Sequence, residues 1–131
     1  MRKLEDLILA YAAAWNEHDE ARRRELIAVC WTHTGTVTGP GTHYAGREAL
    51  STDIARFHRE RPGCRGILTS GLDAHHGFVR FSVAIVDARG HTIAEGVDIG
   101  EVGPDGLLAR IVTFWGAPPP VPATWPPGLV Q

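Results

Sequence analysis

Ile93-Ala94-Glu95-Gly96-Val97-Asp98-Ile99-Gly100-Glu101-Val102 is the stretch on which the fold turns. Alternate residues of a strand share a face, so Asp98 stands with Ala94, Gly96, Gly100 and Val102, and Ile93, Glu95, Val97, Ile99 and Glu101 occupy the other side. Side chains this small leave space around an acid, and the first face predicts a hollow with Asp98 in it. Gly96 and Gly100 fit equally well with a bulge or the close approach of a helix, Asp98 then being held in a salt bridge.

The alternation continues on both sides of this stretch. Strands are predicted at 35–38, 67–74, 78–87, 92–102 and 107–115, separated by His76-Gly77, Asp87-Ala88-Arg89-Gly90 and Gly103-Pro104-Asp105-Gly106, all rich in turn formers. Short connections between long strands make antiparallel neighbours. Towards the N-terminus the period changes to that of a helix. Leu4, Leu7, Ile8, Tyr11, Ala14 and Trp15 recur at steps of three and four, which carries the Tyr11 hydroxyl inward, where a phenol needs a partner or a cavity. Asp19 suits the N-cap of a second helix running through Cys30, with Leu26, Ile27 and Cys30 on its stripe. A third helix runs from Gly46-Arg47-Glu48 to about residue 61, with Leu50, Ile54 and Phe57 inward, and Pro62-Gly63 ends it. The expected class is α+β, with three N-terminal helices packed on a curved, mixed but mostly antiparallel sheet.

The whole sequence of 131 residues, 44% of them apolar, suits a single domain with a proper core. A net charge of −2 and one short basic run, Arg22-Arg23-Arg24, predict no nucleic-acid partner. No stretch reaches the roughly 18 apolar residues of a membrane span and no signal-peptide core is visible, so a cytoplasmic protein without a membrane partner is expected. Cys30 and Cys64 have no metal-site spacing and are expected to be reduced. Among the basic residues Lys3 is the one lysine, a bias associated with GC-rich bacterial genomes. His75 and His76, adjacent on a strand, would point to opposite faces, and neither a metal nor a cofactor is expected. Pro118-Pro119-Pro120-Val121-Pro122 and the prolines after it predict an extended tail.

Tyr11-Ala12-Ala13-Ala14-Trp15-Asn16-Glu17-His18-Asp19, the 31–40 segment ending in Val37-Thr38-Gly39-Pro40, Gly46-Arg47-Glu48-Ala49-Leu50, Gly96-Val97-Asp98, Asp105-Gly106 and Phe114-Trp115-Gly116 together resemble the SnoaL-like and ketosteroid-isomerase-like proteins of the nuclear transport factor 2-like superfamily. The resemblance covers residues 4–116 and implies a cone-shaped α+β domain at 1–117 followed by a proline-rich tail at 118–131. That scaffold hosts isomerases, polyketide cyclases, epoxide hydrolases and binding proteins, so it does not choose among them. It implies that Tyr11 matches the isomerases' oxyanion-hole tyrosine and Asp98 their protonated aspartic acid, a neutral acid that donates a hydrogen bond to a developing enolate. The isomerases' basic aspartate stands directly before a proline, where this chain has Gly39 before Pro40. Loss of that base removes about 10²–10⁴-fold in rate unless another group substitutes. His43 and His33 are nearest in sequence; they are candidate bases or exposed loop residues.

The register of the hairpin between 78–87 and 92–102 decides the role of Arg80. A two-residue or three-residue turn puts Val79 or Arg80 opposite Asp98. With Arg80 opposite, an ion pair keeps Asp98 ionised and resembles the epoxide-hydrolase members; with Val79 opposite, Arg80 is a solvated outer residue. The expected ligand is a small, largely apolar molecule carrying a carbonyl or hydroxyl. Asp98 and Tyr11 are its candidate polar contacts, and Trp15, Trp31, Phe57, Val112 and Phe114 its candidate apolar lining. The alternative is a noncatalytic binding or interaction domain. Val97 and Ile99 on the outer face of the sheet predict a homodimer.

Overall fold

Leu7, Ile8, Tyr11 and Ala14 all lie buried along one side of helix α1 (Leu4–Trp15) in the computed structural model, which describes residues 3–131. Helix α2 (Glu20–Cys30) begins at Asp19, whose carboxylate accepts a hydrogen bond from the Arg22 backbone N–H at 2.9 Å. A cap of this kind is worth about 1 kcal/mol. Helix α3 (Arg47–Glu60) buries Leu50 and Ile54. The three helices fall where the 3.6-residue period placed them.

Among the described residues there are seven strands, the first two lying between α2 and α3: β1 (Trp31–Gly39), β2 (Thr42–Ala45), β3 (Arg65–Leu68), β4 (Asp73–His75), β5 (Phe78–Val86), β6 (Thr92–Val102) and β7 (Leu108–Trp115). They form one curved sheet in the order β2-β1-β7-β6-β5-β3, with β4 also paired to β5. Only β1 and β7 run parallel, so the sheet is mixed and mostly antiparallel, as expected. Two segments differ from the sequence reading. The strand at 35–38 is longer and turns through Pro40 and Gly41 into β2, which the sequence reading missed. The segment 67–74 is interrupted at Ser70-Gly71, where the Ser70 hydroxyl accepts the Ser82 N–H; β3 then pairs with one half of β5 and β4 with the other.

The residue opposite Asp98 is neither of the two expected, although Arg80 takes the solvated outer position that one of them gave it. Asp87 N–H bonds to His91 C=O around a three-residue turn with Gly90 at φ 82°. That turn alone would set Arg80 against Asp98. One more residue, Ile93, is accommodated between the pairs Val86–Thr92 and Ile85–Ala94, and the partner of Asp98 becomes Phe81. Arg80 pairs with Ile99 on the outer face, where its guanidinium meets Asp73 at 2.7 Å in solvent.

The glycines flanking Asp98 also have a more specific role than leaving a hollow. A Cβ on Gly100 would lie 2.9 Å from Val79 and 3.1 Å from Ile111, and one on Gly96 would lie 2.8 Å from the Trp115 ring. Both positions are small because neighbouring side chains lie across them. The core packs between the helices and this face of the sheet; Trp31, Leu108 and Ile111 are fully buried in it. Cys30 and Cys64 are not joined by a disulfide. Residues of the tail are exposed except the half-buried Val130 and, apart from a single 3₁₀ turn at Pro127–Leu129, have no regular structure. Among the described residues no helix is long and apolar enough to cross a membrane.

Candidate functional site

Thr113 on β7 pairs with Asp98 on β6, and Asp98 pairs with Phe81 on β5. Thr38 pairs with Val112 one step earlier, so Gly39 on β1 extends the same row across four strands. The row faces the helices and forms the floor of a cavity of about 310 Å³, at the lower end of the usual range for a small-molecule site. Tyr11 and Trp15 of α1 and Asp53, Arg56, Phe57 and Glu60 of α3 supply its walls. Gly39, Pro40 and Thr42 close one side.

Asp98 is 7% exposed, and its carboxylate accepts a hydrogen bond from the Thr113 hydroxyl at 2.5 Å. Among the described residues it makes no ion pair. Removal from water disfavours the charged form and pushes its pKa up to about 6, against the opposing pull of the Thr113 hydroxyl. Tyr11 is buried, with its ring stacked on Trp31 at 5.5 Å and edge-on to Trp15 at 6.5 Å. Burial first, and the nearby Asp98 charge second, hold its hydroxyl far above the ordinary phenol range. Tyr11 therefore stays a hydrogen-bond donor, and near pH 6 Asp98 can donate or accept. The periodicities of α1 and β6 bring the two into one cavity, although the hydroxyl that holds Asp98 belongs to Thr113.

Sequence reasoning missed a second polar group. The Tyr44 hydroxyl donates to Asp53 Oδ2 at 2.7 Å, and Arg56 pairs with Asp53 Oδ1. The Tyr44 proton is held tightly, by burial first and by the Asp53 hydrogen bond second. The available signal was in α3, where Asp53, Arg56 and Glu60 sit at helical spacing beside the inward Leu50, Ile54 and Phe57. Thr113 and Trp115 were missed by one residue each.

Trp15 and Phe57 are among the residues lining the cavity. Trp31 is not: it is wholly buried behind Tyr11, with its indole N–H donating to the Gly35 carbonyl. Val112 and Phe114 are also corrected. They stand on the opposite face, because Thr113 is the residue in register with Asp98, and Phe114 is exposed. Arg80 lies outside the cavity for the same reason of parity. His43 is exposed on β2 with Nδ1 2.8 Å from the Thr38 hydroxyl, and it and the exposed His33 are absent from the lining. His76, at φ 51°, leaves the strand, so its Nδ1 comes within 3.1 Å of that of His75 and the opposite-face argument does not apply to this pair. Among the described residues no group of three or more His, Cys, Asp or Glu is arranged to hold a metal.

No family model and no curated protein matches the chain. Solved structures do. A SnoaL-like family protein from Agrobacterium tumefaciens str. C58, provisionally named an isomerase, is 29% identical over 85% of this chain and 95% of its own, with a TM-score of 0.80. A nuclear transport factor 2-like protein from Cytophaga hutchinsonii is 15% identical over 88% of this chain and 92% of its own, TM-score 0.67. A SnoaL-like protein from Jannaschia sp. CCS1, provisionally named a polyketide cyclase, is 12% identical over 88% and 90%, TM-score 0.63. The two more distant likenesses concern the fold alone.

Proposed function

We propose that this chain, which belongs to the SnoaL/nuclear transport factor 2-like superfamily, binds a small, largely apolar molecule through a carbonyl or hydroxyl that meets Asp98 and Tyr11. One observation carries the reading: a carboxyl without an ion-pair partner stands on the floor of an otherwise mainly apolar cavity, with its pKa raised to about 6. Near pH 6 such a group is partly protonated, and in that form it can donate to a ligand oxygen. Tyr11 offers a second donor. Two donors meeting one ligand oxygen would stabilise negative charge that develops there, and the fitting chemistry is isomerisation or aldol-type cyclisation through an enolate. In that reaction a proton leaves the carbon beside the carbonyl, and the electron pair moves to the oxygen facing Asp98 and Tyr11.

The group that would accept the carbon-bound proton is missing at Gly39, and Asp53 is already engaged by Tyr44 and Arg56. That favours a second reading, binding without turnover. Both readings share the polar contacts and are tested first by binding. Trp15 and Trp115 line the cavity, so a fused-ring phenol entering it should change tryptophan fluorescence. Tyr11→Phe and Asp98→Asn should each weaken that phenol about 3-fold to 10-fold, the worth of one hydrogen bond. Affinity unchanged by both substitutions would remove Asp98 and Tyr11 as the polar end of the site. Turnover of an enolisable ketone by the unaltered chain would decide for the enzyme.

A further inference from the structure

The charge and ring geometry of the cavity narrow its ligand further. Arg56 is the basic side chain of the lining, and it is committed to Asp53 at the mouth. That pair cancels. Glu60, a second acid of the lining, acts on the same Arg56, and Asp98 alone is left without a basic counterpart. An anionic ligand would meet three carboxylates and one guanidinium already held by Asp53.

Five aromatic residues surround the same space: Tyr11, Trp15, Phe57, Phe81 and Trp115. Tyr11 and Trp15 meet at 76°, and Trp15 and Phe57 at 79° with centroids 5.9 Å apart. These rings meet edge to face, and all five belong to the cavity lining. Ring faces carry the negative part of the aromatic quadrupole, and a cation within about 6 Å of a ring centroid gains from it, most when water is excluded. An aromatic-lined cavity with an acid on its floor offers more to a diffuse cation than to a neutral group of equal shape.

We propose that the cavity selects a compact apolar amine, a tertiary or quaternary ammonium, whose charge sits among the rings against Asp98. The proposal rests on the reading of this cavity as the ligand site and names the ligand's charge class. Burial without a cation is the condition under which Asp98 holds a proton; an ammonium supplies the missing countercharge and keeps the carboxylate ionised. The carbonyl or hydroxyl of such a ligand then falls to Tyr11. Carboxylates and phosphates of the same size are excluded.

The test uses three probes of closely similar shape and titration calorimetry on the full chain at pH 7.5: benzyltrimethylammonium, its neutral carbon isostere neopentylbenzene, and 3-phenylpropionate. The ammonium should bind at least tenfold more tightly than the isostere, and the carboxylate more weakly than either. Asp98→Asn, nearly isosteric and checked for folding by circular dichroism, should bring the ratio of ammonium to isostere affinity close to one. Phe57→Leu should reduce it through loss of a ring with no change of charge. Equal or tighter binding of the neutral isostere overturns the ammonium assignment and leaves the carbonyl reading standing if the fused-ring phenol still binds. Failure of all probes, the phenol included, overturns both.

Discussion

Asp98 is the residue at which burial, charge and chemistry meet. Its folded pKa of about 6 lies above the ordinary 3.8, so the folded state holds the proton more tightly than the unfolded chain does. The stability this gives the protonated form is fully present below about pH 4 and is lost as pH rises through 6. Between those limits the loss comes to about 3 kcal/mol, a large share of a domain's usual stability. Asp98→Asn should therefore raise the unfolding free energy at pH 7 to 8 and remove most of this decline between pH 4 and 6, measured by urea unfolding across that range. A wild-type carboxyl carbon titrating at or below 3.9 by NMR would contradict the burial argument. Asp98 and Tyr11 were legible because each stands on a strong local period. Thr113 was not, since its role depends on which residue of a neighbouring strand falls beside Asp98, and no local pattern encodes that.

At the scale of elements, the helices were readable from caps and apolar stripes, whereas the sheet was readable in its strands but not in its register. Ile93 is the cause. Its extra residue shifts the β5–β6 pairing by one, and a shift of one reverses which side chains face the cavity. The β6–β7 pairing has its own irregularity between Glu101 and Val102, and there Thr113, not Val112 or Phe114, stands beside Asp98. β2 escaped notice because Thr42-His43-Tyr44-Ala45 has no apolar alternation to mark it. The row Gly39, Thr113, Asp98 and Phe81 makes a further test possible. A Cβ on Gly39 meets nothing nearer than Thr113 Cβ at 3.9 Å, and Gly39 is not among the glycines with positive φ, so the position accepts a side chain. Gly39→Asp would put a carboxylate in the row with Asp98, where the resembled isomerases carry their base. Its turnover of a 3-oxo-Δ5 steroid should exceed the low wild-type rate by at least tenfold, within the roughly 10²–10⁴ that a positioned base supplies. An unchanged rate, with the steroid shown to bind, would mean that Asp98 and Tyr11 do not form a working oxyanion site.

For the molecule as a whole, the helices cover only one face of the sheet. The other presents Val97, Ile99 and Phe114 at 37%, 40% and 60% exposure, in neighbouring positions of β6 and β7. Arg80–Asp73 and Arg110–Glu101 pair at the borders of this patch, which gives it an apolar centre and a charged rim. We propose that a second copy of the chain covers it, the expectation already raised by Val97 and Ile99 in the sequence. Face-to-face packing of two such sheets buries the apolar centre of each against the other, and a stable pair needs about 800 Å² from each partner. Sedimentation velocity at micromolar concentration should then give a particle of twice the 14.2 kDa chain mass. Phe114→Glu should return it to the monomer, because the introduced charges would face one another at the centre of the interface. Phe114 lies on the side of the sheet away from Asp98, so the variant should keep its affinity for cavity probes within about threefold if the two faces act independently. A monomeric wild type would leave the outer face without its proposed partner. A dimer unaffected by Phe114→Glu would move the contact to another surface.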